Sequence, residues 1–254
     1  MRGLNGKSGI VTGGGSGIGA AIADRFGAAG VRVAIYDING ETAQATAARV
    51  RSAGGEAEAV QVDLTDYDAV KTAVEATHAA HGLDIVVNNA GWDEFTPFVD
   101  TTPDFWSKVI DINYRAPLNV LHTAIPLLVG AGGGHVVSIA SDAGRGGSSG
   151  EAVYSGCKAG LIALSKSLAR EHSRHNITFN VVCPGPTRTA LFEGFMEQVS
   201  NPDKFRKAFR RSIPMGRFGE PDDLPGVVTF FASDDAAYIT GQVISVSGGL
   251  TMAG

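Results

Sequence analysis

Sulfur is scarce in this chain: of 254 residues only Cys157 and Cys183 are cysteines. Two are too few for a disulfide framework, and they read as reduced thiols of an intracellular protein. No apolar run approaches the roughly 18 residues of a membrane span, and the N-terminus shows no apolar core of a secretory leader. A cytoplasmic protein without membrane contact is therefore expected. Basic residues are in the minority, 21 Lys and Arg against 26 Asp and Glu, for a net charge of −5. That leaves no domain-wide positive field to hold nucleic acid. Internal repeats, low-complexity tracts and linkers are missing too. Glycine is what the chain has in excess, 34 residues, which points to many tight turns and close backbone approaches.

The first of these turns carries a motif. A short apolar run, Gly9 to Thr12, leads into Gly13-Gly-Gly-Ser16-Gly17-Ile18-Gly19 and then into a helical stretch from Ala20. Glycines at 13, 17 and 19 let the backbone bend sharply and approach a diphosphate, while the helix start offers amide donors and partial positive charge. The spacing is G-x-x-x-G-x-G rather than the commoner G-x-G-x-x-G, and a purely structural turn stays open at this point. The next strand, Val31 to Tyr36, ends at Asp37, about twenty residues on, where a ribose-binding acid is expected. A carboxylate there accepts hydrogen bonds from adenosine hydroxyls and repels a 2′-phosphate. No Lys or Arg stands at 14 to 16 or at 38, so NAD is expected over NADP.

Beyond Asp37 the pattern repeats: helix 41–53, strand Ala57 to Val62, helix 66–81, strand Asp84 to Val87. Alternation of apolar strands and helices means a parallel sheet covered on both faces, with ligands at the carboxyl ends of the strands. Asp63 stands at one such end, either to meet the adenine or to cap the following helix. Asn88-Asn89-Ala90-Gly91 ends the fourth strand and buries two amides that need backbone or cofactor partners. A helix over 102–115 carries Asn113, another covers 116–130, and the strand His135 to Ala140 ends at Ser141. The strand Ile177 to Val182 meets Cys183-Pro184-Gly185-Pro-Thr187-Arg188-Thr189, again at a carboxyl end.

Tyr154 and Lys158 lie four residues apart, one face of a helix. An ordinary amphipathic helix offers the same spacing, but an ammonium beside the phenol would stabilise the phenolate. At about 4 Å and an effective dielectric of about 20 the pair interacts by about 4 kcal/mol. That lowers the Tyr154 pKa enough to make it a proton acceptor or donor. The Gly- and Ser-rich segment after Ser141 can return that hydroxyl to the tyrosine.

Taken in order, Thr12-Gly13-x-x-x-Gly17-x-Gly19, Asn88-Asn-Ala-Gly91, Asn113, Ser141, Tyr154-x-x-x-Lys158, Pro184-Gly185 and Ile239-Thr-Gly-Gln242 resemble the short-chain dehydrogenase/reductase family over essentially the whole chain. The resemblance implies α/β architecture: one Rossmann domain over 1–254 with a seven-stranded parallel sheet, helices on both faces, and a substrate lid at about 187–217. It implies a tetrad of Asn113, Ser141, Tyr154 and Lys158, with Tyr154 as acid and base, Ser141 holding the substrate oxygen, and Lys158 tuning Tyr154 and binding the nicotinamide ribose. Asn113 would support a water that relays the proton. For the cofactor it implies Gly13, Ser16, Gly17, Ile18 and Gly19 at the diphosphate, Asp37 and Asp63 at the adenosine, and Asn89, Ala90 and Gly91 at its ribose. Pro184, Gly185, Thr187 and Thr189 would flank the nicotinamide. Homotetramers are common in the family, through helices 102–130 and 152–174, and no metal is expected. Two departures, Ser247 before Gly248-Gly249 and Gly156-Cys157 before Lys158, leave the tetrad untouched.

Within the family, Trp92-Asp-Glu-Phe95-Thr-Pro-Phe98 and Ser148-Ser-Gly-Glu151-Ala-Val-Tyr154 resemble NAD enzymes of alicyclic and aromatic acid degradation that oxidise cyclic hydroxyacyl-CoA esters. Segment 201–217 carries Lys204, Arg206, Lys207, Arg210, Arg211 and Arg217 with a single acid. Residues 206, 207, 210 and 211 share a helical face, to meet the phosphates of coenzyme A or simply to face water. Trp92 and Phe95 either line the acyl pocket or pack in the core. Arg188 and Glu151 are further, unranked candidates. The expected activity is NAD-dependent oxidation of a secondary alcohol, with reduction of 3-oxoacyl groups, oxidation of free secondary alcohols, or a silent NAD-binding scaffold as rivals.

Overall fold

A computed structural model describes residues 1–198 and 201–252. Seven parallel strands, β1 (Ser8–Thr12), β2 (Arg32–Asp37), β3 (Glu56–Gln61), β4 (Ile85–Asn88), β5 (Gly134–Ile139), β6 (Ile177–Pro184) and β7 (Val243–Val246), form one sheet in the order β3-β2-β1-β4-β5-β6-β7. Between them run α1 (Gly17–Ala28), α2 (Gly40–Ser52), α3 (Tyr67–His81), α4 (Pro103–Ile110), α5 (Ala116–Gly130), α6 (Ala143–Gly146), α7 (Ala152–His172), α8 (Ala190–Gln198), α9 (Pro202–Ser212) and α10 (Pro225–Phe231).

Strand alternation sorts the core into two layers. Val11, Ile35, Val87, Val137 and Val182 pack against Phe26 of α1, Val50 of α2 and Phe231 of α10. Ile10, Tyr36, Val86, Val136 and Phe179 meet Val74 of α3, Leu128 of α5 and Ala169 of α7. With both faces covered, the central strands read as continuous apolar runs, as parallel sheets require. This is the single-domain, doubly wound α/β fold expected of the sequence.

Chain order reverses between β1 and β4, and there the turns that follow the two strands diverge and leave a crevice. Lys7 and the Ser8 amide both bind the Asp84 carboxylate at 2.9 Å, which fixes β1 against β4 at the far end.

One helix departs from expectation. The stretch 102–115 is not a single α-helix: α4 ends at Ile110, and residues 111–115 form a π-turn that runs directly into α5. Asn113, fully buried in that turn, donates its amide to the Val109 carbonyl at 2.9 Å. Pro117, having no N–H, cannot return the α-type bond to the Asn113 carbonyl. Both features favour the wider spacing, and π-turns of this kind tend to sit at functional sites. No helix among the described residues is long and apolar enough to cross a membrane.

Candidate active site

The glycine turn closes against β4. The Thr12 hydroxyl accepts from the amides of Asn89 (2.9 Å) and Ala90 (3.1 Å), and the Asn89 side chain donates to the carbonyls of Thr12 (2.9 Å) and Gly13 (3.1 Å). Gly13 has φ +60°, and a Cβ there would sit 2.8 Å from the Ala90 Cα. A Cβ on Gly19 would lie 2.2 Å from the Gly13 carbonyl oxygen, so α1 meets the turn only as glycine. Asn89 is thus a brace for the turn. Its neighbour Asn88, the more deeply buried of the two, has neither side-chain atom paired.

These residues fit a dinucleotide. Helices α2, α3, α4 and α9 are capped by the side chains of Asn39, Asp66, Thr102 and Asn201, whereas Ser16 places no side-chain bond on α1, and no acid occupies its first turn. The amides of Gly17, Ile18 and Gly19 are left for an anion. Asp37 ends β2, half-exposed and fixed by the amides of Gly15 (2.9 Å) and Asn39 (3.0 Å). Asp63 is exposed and bonds within its own turn, to the amide (2.9 Å) and hydroxyl (2.7 Å) of Thr65. Asp66, not Asp63, caps α3, because it is Asp66 that directly precedes the first helical residue. Thr189 lies over Gly17, with its methyl 3.4 Å from where a Cβ would be. Gly185 packs on Ser247, and the Thr187 hydroxyl bonds back to the Gly185 carbonyl at 2.9 Å.

Across the crevice, α7 brings Tyr154 and Lys158 under the end of β5. Tyr154 hydrogen-bonds with Ser141. Lys158, 3% exposed, donates to the Ile139 carbonyl at 3.1 Å and stands 5.4 Å from the Tyr154 ring centre. A Cβ on Gly91 would lie 3.0 Å from Asn113 Oδ1 and 3.3 Å from Lys158 Nζ, so glycine is what lets these two groups share one space. Asn113 clasps the Trp92 backbone from both sides, Nδ2 to its carbonyl at 2.6 Å and Oδ1 from its amide at 3.2 Å.

The electrostatics differ from the expectation that Lys158 pulls the Tyr154 pKa down. Burial, then Glu151, pushes the phenol well above its ordinary value, and the Ser141 bond offsets only part of this. Burial also lowers Lys158 to about 8. The physical reason is desolvation: both groups sit in a dry pocket that disfavours either charge, and the lysine is turned toward a carbonyl rather than the phenol.

Substrate-side residues fall into three groups. Segments 92–98 and 148–153 are joined by the Thr96 amide on the Gly150 carbonyl (2.9 Å), with the Phe95 ring packed over Gly150. Trp92 lies edge-on to Phe105, 5.9 Å between centres, and beneath the Lys108 ammonium at 3.5 Å. Phe98 and Phe105, with Asp93 and Glu151, line a narrow crevice, and both carboxyls lie within electrostatic reach of Tyr154. The sequence reading missed Asp93, Phe98 and Phe105, since an irregular loop has no periodicity to mark which side chains turn inward.

The segment expected as a lid folds as α8 and α9 packed on Phe218, with ring centres 5.0 Å (Phe192) and 6.1 Å (Phe209) away; residues 199 and 200 of that span lie outside the described residues. The basic face is smaller than expected. Arg206 is half-buried and paired with Glu193, Arg217 is held by Asp223 at 2.6 Å, and Arg188 pairs with Glu220 at 3.2 Å. Lys204, Lys207, Arg210 and Arg211 remain exposed, with no ion pair among the described residues.

A family model described as enoyl-(acyl carrier protein) reductase matches residues 13–251. The chain is 34% identical over 250 residues to 3-oxoacyl-[acyl-carrier-protein] reductase FabG of Thermotoga maritima, covering 98% of this chain and 99% of that one. It is 35% identical over 249 residues to the protein of the same name from Aquifex aeolicus, covering 97% and 98%. Among solved structures, levodione reductase superposes with a TM-score of 0.93 at 32% identity, over 96% of this chain and 97% of that one. NAD+-bound xylitol dehydrogenase gives 0.94 at 31%, over 98% and 100%. With near-complete coverage in sequence and in structure, the chain belongs to the short-chain dehydrogenase/reductase family of oxidoreductases.

Proposed function

We propose that the protein is an NAD-dependent dehydrogenase that interconverts a secondary alcohol and a ketone, and that its substrate is a cyclic 3-hydroxyacyl-CoA such as 2-hydroxycyclohexanecarboxyl-CoA. The observation that carries the chemistry is the convergence of Ser141, Tyr154 and the buried Lys158 at the carboxyl end of β5. When bound, the oxidised nicotinamide supplies the hydride acceptor and a positive charge beside the phenol. Ser141 holds the substrate oxygen, and the Tyr154 hydroxyl takes the alcohol proton or returns it to the ketone. In the protein alone the phenol is the favoured form, so Tyr154 is ready to donate, and oxidation needs positive charge close by. Lys158 provides part of it and keeps its own proton through the Ile139 carbonyl. Asn113 fixes the Trp92 backbone and so the rim of the pocket.

The case for NAD rests on Asp37, whose carboxylate repels a 2′-phosphate, and on the absence of Lys or Arg at 14–16 and 38. The case for a CoA ester rests on the four exposed cations of α9, which suit phosphates. Those same cations also suit an acidic carrier protein, and the FabG relatives are named for such a substrate. That makes reduction of 3-oxoacyl groups the second reading, with Asp37 against the NADPH it would use. The span 187–217 is proposed as the lid and a homotetramer through residues 102–130 and 152–174 as the assembly, which sedimentation of the purified protein tests.

Two experiments decide. Tyr154→Phe is expected to lower turnover by about 10²–10⁴-fold with NAD affinity unchanged; undiminished turnover sinks the mechanism. Arg210→Glu with Arg211→Glu is expected to raise KM for the acyl-CoA and leave that for free alcohols alone; an unchanged KM sinks the CoA assignment.

A further inference from the structure

Two carboxyl groups border Tyr154 without a use in the chemistry above. Asp93 follows the Asn88–Gly91 motif, and Glu151 is the residue before α7, three before Tyr154. Both line the crevice that Phe98 and Phe105 wall with aromatic carbon. Asp93 Oδ2 is shut off from solvent and has no hydrogen-bond partner. Neither carboxyl forms an ion pair among the described residues. The groups around them are Glu94 on the same loop, Ser148 before Glu151, and Tyr154, Cys157 and Lys158 from α7. From α4 the nearest cation, Lys108, is taken up over the Trp92 ring.

Partial burial and the neighbouring carboxyl work against the charged form of Asp93, and Lys158 offsets only a small part of this. Burial, and then Glu151, raises Asp93 to about 7, and burial raises Glu151 as well. A carboxyl that keeps its proton at neutral pH is a hydrogen-bond donor, and Asp93 Oδ2 is the oxygen with nothing of the protein to donate to.

We infer that Asp93 and Glu151 form a carboxyl subsite beside Tyr154 in which Asp93 donates a hydrogen bond to a second oxygen of the substrate, a carbonyl two bonds from the carbinol carbon. This rests on the secondary-alcohol reading and deepens it: a 3-hydroxyacyl ester carries such a carbonyl, and a simple alcohol does not. The pair then selects bifunctional substrates independently of coenzyme A. Loss of the proton turns the donor into a repulsive lone pair, so the selection weakens as pH rises through neutrality.

The test compares three alcohols with NAD: cyclohexanol, ethyl 2-hydroxycyclohexanecarboxylate and the corresponding CoA thioester. The informative quantity is the ratio of kcat/KM for the ethyl ester to that for cyclohexanol, in which the ionisation of Tyr154 and Lys158 cancels. In the wild type the ratio is expected to be about tenfold or more at about pH 6, the worth of one hydrogen bond, and to shrink toward about pH 9. Asp93→Asn keeps a permanent N–H donor and should hold the ratio while flattening its pH dependence. Asp93→Val and Glu151→Val should bring it toward unity with NAD affinity intact. A ratio near unity in the wild type, one flat with pH, or one that survives both valine variants overturns the inference. If the thioester proves no better than the ethyl ester while the ratio stands, the CoA reading falls and the subsite remains. If no alcohol reduces NAD, both fall together.

Discussion

Around the glycine turn, where the end of β1 meets Asp37 and the Asn89 that follows β4, three polar side chains are fully engaged with the protein. Asp37 takes two amides, Thr12 takes two more, and Asn89 donates to two carbonyls. Further along the sheet, between β4, β5 and α7, several groups lack partners: Asn88 and Ser138, register neighbours on adjacent strands, bury unpaired atoms, as do Asp93 and Ser155. Displaced pKa values gather there in Tyr154, Lys158, Asp93 and Glu151, whereas at the end of β2 only the buried Tyr36 phenol is pushed up. The first region spends its polar groups on its own backbone and so holds a fixed shape. The second keeps polar groups unpaired, at a cost in stability of about 1–3 kcal/mol for each, and they are available to ligands and protons. Functional sites are where such local inconsistency is expected.

Substitutions that enter the paired region should have the largest effect. Gly19→Val places carbon into the Gly13 carbonyl, and we expect loss of soluble folded protein, read by circular dichroism and yield. A well-folded variant with intact NAD binding would break the contrast. Next comes Asn89→Ala, which strips donors from two carbonyls and should cost about 1–3 kcal/mol in urea unfolding. The adjacent Asn88→Ala, with no hydrogen bond to lose, should cost less than half of that. Equal losses would show that pairing is not what separates the two regions.

On the unpaired side, Lys158→Met should abolish turnover and yet raise the Tm by roughly 2–4 °C for each kcal/mol of desolvation relieved. The sign follows from the lowered pKa of about 8. The folded state binds the Lys158 proton more weakly than the unfolded state does, so its contribution opposes folding at neutral pH and fades as pH rises between about 8 and the usual lysine value. A fall in Tm at pH 7 would overturn this. The smallest effect belongs to the surface. Arg217 lowers the Asp223 pKa to about 2, so that pair stabilises above the ordinary aspartate range and its contribution disappears as pH falls through about 2. Arg217→Ala should therefore lower stability at pH 7 by no more than about 1 kcal/mol, with almost no difference from the wild type in acid.

The paired region was also the more legible in the sequence. The glycine turn, Asp37 and the Asn88–Gly91 run show themselves because backbone geometry demands particular residues at fixed spacing, and the alternation of strand and helix gave the parallel sheet. Asp63 reads as either an adenine contact or a cap of α3, and the cap falls to Asp66, because a three-residue offset decides which acid precedes the helix. The π-turn at 111–115 had no warning in its amphipathic pattern, although Pro117 is a local reason for it.

The parallel α/β class and the Tyr154–Lys158 pair with Ser141 nearby are legible in the sequence itself, since periodicity and motif spacing act along the chain, and the resemblance to the family adds Asn113. Tertiary structure alone decided that Lys158 turns to the Ile139 carbonyl instead of the phenol, that Glu193 and Asp223 withdraw Arg206 and Arg217 from the basic face, and that Glu151 comes within electrostatic reach of Asp93. The physical reason is common to all three. Charge state and partner depend on burial and on distance through space, and residues 58 positions apart along a chain acquire both only when the sheet brings their loops together.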